Sequence, residues 1–120
     1  MRHLTGLILL LVFVSTGSGT ALAGLRTEVI EYRLGDDSFS GYLAWDDAVE
    51  GRRPGVLVVH EWWGHNPYAR RRAEMLAGMG YTAFALDMYG SGKLADHPDD
   101  AKKFMKAVTS DMETAEARFD

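Results

Sequence analysis

The densest collection of groups able to do chemistry is the run Val56-Leu57-Val58-Val59-His60-Glu61-Trp62-Trp63-Gly64-His65-Asn66-Pro67. Its apolar, β-branched start reads as a buried strand, which puts a carboxylate and two indoles at the strand's C-terminal end. In open parallel sheets that end is where ligands bind. A carboxylate in such a place can be partly desolvated and tuned by its neighbours, so Glu61 is the first candidate for a functional group. Three sharper readings fail on spacing. His60 and His65 stand five positions apart, whereas the zinc-protease HExxH pattern needs four to bring both imidazoles to one helix face. Gly90-Ser91-Gly92-Lys93 resembles the tail of a phosphate-binding loop, but Asp87 occupies the leading glycine position and Leu94 the Ser/Thr position. Ser38, Ser40, Ser91 and Ser110 have no GxSxG elbow around them, and the chain contains no cysteine. No metal and no cofactor is expected from these residues.

The elements that must position this run are readable on both sides of it. Thr27–Leu34 and Phe39–Trp45 alternate apolar and polar residues around Gly35-Asp36-Asp37-Ser38, the pattern of a β-hairpin. Pro54-Gly55 delivers the chain into Val56–Val59, a short apolar run that predicts a central strand buried on both faces. Asn66-Pro67 has the grammar of an N-cap followed by proline at the first helical position, and Gly80 is a helix stop. Ala69, Ala73, Leu76 and Ala77 keep helical spacing between them. Tyr81–Leu86 reads as a second parallel strand, completing a βαβ unit. Pro98 and the acids after it open a final amphipathic helix. Its stripe Ala101, Phe104, Met105, Val108, Met112, Ala115 and Phe119 predicts one continuous helix to the end of the chain. Two parallel strands and two helices leave apolar faces uncovered, which is unfavourable at this size, so the pattern describes the beginning of a larger α/β sheet.

Met1-Arg2-His3, the apolar run Leu4–Val14 and Ala21-Leu22-Ala23 predict a secretory signal peptide over 1–23, cut after Ala23. The apolar run is shorter than the roughly 20 residues a spanning helix needs, which argues against an uncleaved anchor. The mature piece, 24–120, is therefore expected in the periplasm or outside the cell, with no membrane contact after cleavage. Over the full chain, 47% hydrophobic and 25% charged residues suit a folded domain, and a net charge of −4 offers nothing to nucleic acid.

The ordered set of VVHEWWG, Asn66, an arginine-bearing helix, Gly80-Tyr81 and Asp87-Met88-Tyr89-Gly90 resembles the dienelactone hydrolase family of the α/β-hydrolase superfamily, from Thr27 to the end. The resemblance implies the N-terminal half of an α/β-hydrolase fold. It also implies a Cys-His-Asp triad acting on ester or lactone carbonyls, all of whose members would lie beyond Asp120, with cysteine or serine left open for the nucleophile. Glu61 matches the family glutamate that contacts the nucleophile and controls its ionisation. Trp62 matches the position whose backbone N–H supplies half of the oxyanion hole. Trp63 and Tyr89 are candidate substrate-pocket residues, and Lys93 joins Tyr89 by location alone.

Plainer readings stand beside these. Tryptophans usually pack, His60 reads as a structural strand-end residue, His65 and His97 as loop and helix-start polar groups, and Arg70-Arg71-Arg72 as a solvated helix face. Two functions remain. One is an exported hydrolase of small-molecule esters or lactones, inactive without its nucleophile. The other is a non-catalytic remnant that binds a small molecule or partner, or self-associates through an exposed sheet edge.

Overall fold

The computed structural model describes residues 24–90 and 92–120; the signal-peptide reading falls on 1–23, outside the described residues. Strands β1 (Leu25–Leu34) and β2 (Asp37–Asp46) form the expected hairpin. The turn is tighter than the sequence suggests: Asp37 and Ser38 already pair with Leu34 and Arg33, leaving Gly35 and Asp36 as a two-residue loop with Gly35 at φ 59°. Glycine suits that position because a side chain at positive φ is strained. Strand β3 (Gly55–Val59), helix α1 (Pro67–Gly78) and strand β4 (Thr82–Leu86) form the βαβ unit, with β3 and β4 parallel. The sheet order is β1-β2-β4-β3, and β2 runs antiparallel to β4. Among the described residues no helix is long and apolar enough to cross a membrane.

Side chains of a strand alternate between faces, so the register sorts the sheet into two surfaces. On one, Tyr42, Ala44, Val58, Ala83 and Ala85 meet Ala69, Ala73 and Ala77 of α1. Alanines four residues apart form a smooth stripe that lets the helix backbone lie close to the sheet. The cap chemistry works as the sequence implies. Asn66 Oδ1 accepts from the N–H groups of Tyr68 and Ala69, Pro67 occupies the first turn, and Gly80 at φ 95° follows the Met79 C-cap.

The opposite surface carries Ile30, Tyr32, Phe39, Phe84, Leu86, Leu57 and Val59. Tyr32 stacks on Phe39 at 5.4 Å and leans on Phe84 at 6.2 Å. Helices α2 (Pro98–Thr109) and α3 (Met112–Ala117) cover Leu86, Met88 and Tyr89 with Phe104, Val108 and Ala115.

Two sequence expectations need correction here. Strand β3 is not central: it lies at the sheet edge and is not buried on both faces, for Leu57 and Val59 are 52% and 49% exposed. Its continuous apolar character is nevertheless that of an interior strand. Full burial of a Val or Leu is worth roughly 1.5–3 kcal/mol, so much of that gain is unrealised at each position. The final helix is also not continuous. Asp111 caps a new helix by accepting from the Thr114 N–H at 3.2 Å and from the Thr114 hydroxyl at 2.6 Å, which turns the chain after Ser110. The apolar stripe continues in phase across the break, which is why periodicity alone did not reveal it.

Two outcomes follow. A Cβ added at Gly41 would lie 2.0 Å from the tip of the Phe84 ring, so Gly41→Ala should lower stability by about 1–3 kcal/mol in urea unfolding. Combining it with Phe84→Ala should cost less than the sum of the two single changes; strict additivity would show that the two sites do not touch. The second concerns Asp111, whose hydrogen bonds from Thr114 hold its carboxyl below the ordinary 3.8. That contribution is present above the unfolded-state value and lost as pH falls through the lower folded one. Helical Cα shifts of α3 should therefore persist down to pH 3.8 and fade below it, and Asp111→Ala should abolish them at neutral pH.

Candidate functional site

Parallel pairing sets Val59 beside Leu86, so the loops that follow β3 and β4 leave the sheet together. His60 joins them. The Met88 N–H donates to His60 Nε2 at 3.0 Å, which makes Nε2 the acceptor and leaves Nδ1 with the proton; Nδ1–H then donates to the Glu61 carbonyl at 2.6 Å. The ring also meets Tyr89 edge-on at 4.7 Å. His60 is thus the strand-end brace the sequence suggests.

After His60 the chain makes a tight turn over Glu61–Gly64, closed by the Gly64 N–H donating to the Glu61 carbonyl at 3.2 Å. Gly64 is buried at φ 98°, and a Cβ there would lie 2.6 Å from the Lys93 carbonyl. A side chain at 64 would therefore push apart the two loops, which the Ala95 N–H donating to the Trp63 carbonyl at 3.0 Å holds together. Tyr89 completes the scaffold. Its ring is buried against Phe104 at 5.6 Å, its hydroxyl donates to the Trp62 carbonyl at 2.9 Å, and burial pushes its phenol pKa up, so it remains a donor. The loop after β4 is organised by the buried Asp87, which accepts from the N–H groups of Tyr89 and Gly90 and, from β2, that of Ser40.

On this frame Glu61 and Trp62 are exposed, and Trp62 meets Trp63 edge-on at 5.1 Å. The partial desolvation expected of Glu61 is not present, because the open edge of β3 leaves the carboxylate to solvent. It enters none of the ion pairs of the described residues. Among those residues, the Trp62 N–H also donates to none. Glu61 stands on the rim of two depressions. One, of about 260 Å³, is lined by Val59, Trp62, Met88, Tyr89 and Met105; the other, of about 200 Å³, by Asn66, Tyr68 and Arg72. Of the sequence candidates, Glu61, Trp62 and Tyr89 are thus brought together. Trp63 and Lys93 line neither depression, although Lys93 shares a smaller one with Tyr89 and Phe104.

Other residues bear out the sequence reading or go beyond it. His97 caps α2 through Nδ1, accepting from the Asp99 N–H at 3.2 Å, as a helix-start group should. His65 is more than a loop polar group: it is buried, and desolvation, followed by the Arg70 charge, pulls its pKa below 6.5. The arginine run is only partly a solvated face, since Arg70 is half-buried over the Tyr42 ring at 5.3 Å. Arg118, unremarked in the sequence, donates to the Met88 carbonyl and lies 5.2 Å from the Phe39 ring, tying the end of α3 to the site frame. Spacing carries no signal for it, because its partners lie far away in sequence, in β2 and in the loop after β4.

Comparison with known proteins agrees with this geometry. Residues 39–120 match the family described as the dienelactone hydrolase family. Protein usf of Aquifex pyrophilus is 38% identical over 81 residues, covering 65% of this chain and 33% of that protein. The solved structure named m3DLH superposes with a TM-score of 0.70 at 38% identity, over 75% of this chain and 38% of that one. The dienelactone hydrolase-like promiscuous phosphotriesterase P91, from metagenomic libraries, also gives 0.70, at 30% identity over 76% of this chain and 38% of its own. The chain therefore spans little more than a third of the length of these relatives. With the family matched over most of the chain and the fold superposing over three quarters of it, the chain belongs to the dienelactone hydrolase family, with the α/β-hydrolase fold represented by its N-terminal part.

Proposed function

We propose that this chain supplies the oxyanion side of an exported hydrolase acting on carboxylic ester or lactone bonds, with the nucleophile contributed by sequence outside 24–120. The observation that carries this reading is the exposed Glu61–Trp62 turn, braced from below by His60 and Tyr89 and facing the free edge of β3. A neighbouring strand on that edge would bring a nucleophile to this turn and take Glu61 out of water. The Trp62 N–H would then stabilise the negative charge developing on the carbonyl oxygen. A nearby Glu61 carboxylate disfavours a thiolate until substrate displaces it, which keeps a cysteine nucleophile dormant between turnovers. Trp62, Met88 and Tyr89 would form the apolar wall for the acyl group. The predicted signal peptide, cut after Ala23, would place the enzyme in the periplasm or outside the cell.

The second reading, a non-catalytic binding module, is supported by one observation. Among the described residues no serine lines either depression beside Glu61, and the Ser40 hydroxyl is committed elsewhere, donating to Glu31 at 2.8 Å. The exposed apolar edge of β3 would also drive self-association.

The hydrolase reading is tested by joining residues 24–120 to the remaining two thirds of m3DLH. The chimera should hydrolyse p-nitrophenyl acetate, and Glu61→Gln in it should lower kcat by about 100-fold and alter the pH–rate profile. A folded chimera that is inactive, or indifferent to Glu61→Gln, overturns the reading. The unfused chain should show no turnover above buffer or above its own Glu61→Ala variant, and should sediment as more than a monomer. Turnover by the unfused chain would place a nucleophile within it.

A further inference from the structure

Behind the Glu61–Gly64 turn lies a third cavity, sharing no lining residue with the two in front. Its volume is about 90 Å³, and Ser40, His65, Arg70, Asp87, Lys93 and Leu94 line it. Three features set it apart from an ordinary packing gap. His65 is only 7% exposed, yet its Nε2 has no hydrogen-bond partner among the described residues. A buried polar atom left unpaired costs about 1–3 kcal/mol, so such an atom calls for a partner. The Asp87 carboxylate, which lines the same cavity and accepts from three backbone N–H groups, makes no hydrogen bond with Nε2. Finally, Arg70 and Lys93 are both among the lining residues, and neither takes part in an ion pair among the described residues. Arg70 is held in place over the Tyr42 ring, so its guanidinium is preorganised.

A water molecule would satisfy the imidazole nitrogen, but the one carboxylate among the lining residues, Asp87, carries a single charge against the two of Arg70 and Lys93. A cation is disfavoured by the same two charges. We propose that this cavity binds a small oxyanion, a phosphate or carboxylate group, held by the His65 Nε2–H, the Arg70 guanidinium and the Lys93 ammonium. The size agrees, since a cavity of this volume takes a single phosphate or carboxylate group and nothing much larger. Desolvation and the Arg70 charge keep the imidazole neutral, which suits it to act as a hydrogen-bond donor and not as a charged partner. Because His65 belongs to the β3 loop and Lys93 to the β4 loop, a bound anion would clamp together the two loops that carry Glu61, Trp62 and Tyr89. The site is independent of the proposed hydrolysis and would exist in a non-catalytic module as well.

The test is histidine-ring NMR of the full chain during titration with inorganic phosphate, with chloride at matched ionic strength as the reference. The His65 ring signals should shift saturably with phosphate, while those of the exposed His97 should not follow the same curve. Lys93→Gln, at an exposed residue, should weaken the response by about tenfold, and Arg70→Gln by at least as much. Acetate in place of phosphate separates the sources: saturation by both assigns the site to any small oxyanion, and saturation by phosphate alone assigns it to tetrahedral anions. A non-saturating drift shared by His65 and His97 would mean general ionic strength or a bound water only, and would overturn the proposal. So would a saturable response that Lys93→Gln leaves unchanged.

Discussion

The parallel register of β3 against β4 is the constraint on which the site depends. Pairing Val59 with Leu86 brings two loops out of the sheet at the same level, where one imidazole can bridge them. His60 does so by accepting from the Met88 N–H and donating to the Glu61 carbonyl, so a single neutral ring fixes the start of both loops. Tyr89 repeats the link one step further out through its hydroxyl and the Trp62 carbonyl. Each such hydrogen bond contributes only about 1 kcal/mol net, but together they leave the Glu61–Gly64 turn few alternatives. The exposed residues can be exposed because those beneath them are braced.

The two sheet faces differ in a way that bears on function. One is closed by the alanine stripe of α1 and carries the structural load. The other is closed only toward β2 and β4 and is open at Leu57 and Val59, beside Glu61. Open apolar surface and free strand edge thus coincide with the candidate chemistry. A site completed by a neighbouring strand would look like this from one side, and the relatives, about twice as long as this chain, extend well beyond the matched span.

Much of this was legible in the residues because the signals are local. Asn66-Pro67, Gly80 and His97-Pro98 act within one helical turn, and each caps or stops its helix where the sequence places it. The hairpin and the βαβ order follow from periodicities of two and of 3.6. What depended on distant partners was not legible. The edge position of β3 depends on which strands flank it, and no pattern inside Gly55–Val59 encodes that. Arg118 and Asp87 owe their roles to contacts among β2, β4 and α3, and the burial of His65 depends on residues remote from it in sequence, among them Ser40 and Lys93 of the cavity it lines. The break at Ser110-Asp111 was local and still escaped, because an intact apolar stripe outweighed an aspartate with a threonine three residues on.

In the proposed hydrolase, the Trp62 backbone N–H beyond the end of β3 would meet the oxyanion developing on the hydrolysed carbonyl. The most direct measurement is a crystal structure of residues 24–120 completed by a family C-terminal portion and bound to a tetrahedral phosphonate analogue. A phosphonyl oxygen is expected about 3 Å from the Trp62 nitrogen, with Tyr89 still bonded to the Trp62 carbonyl beneath it. A phosphonate bound covalently with its oxygen directed away from Trp62, and the Glu61–Gly64 turn untouched, would contradict it.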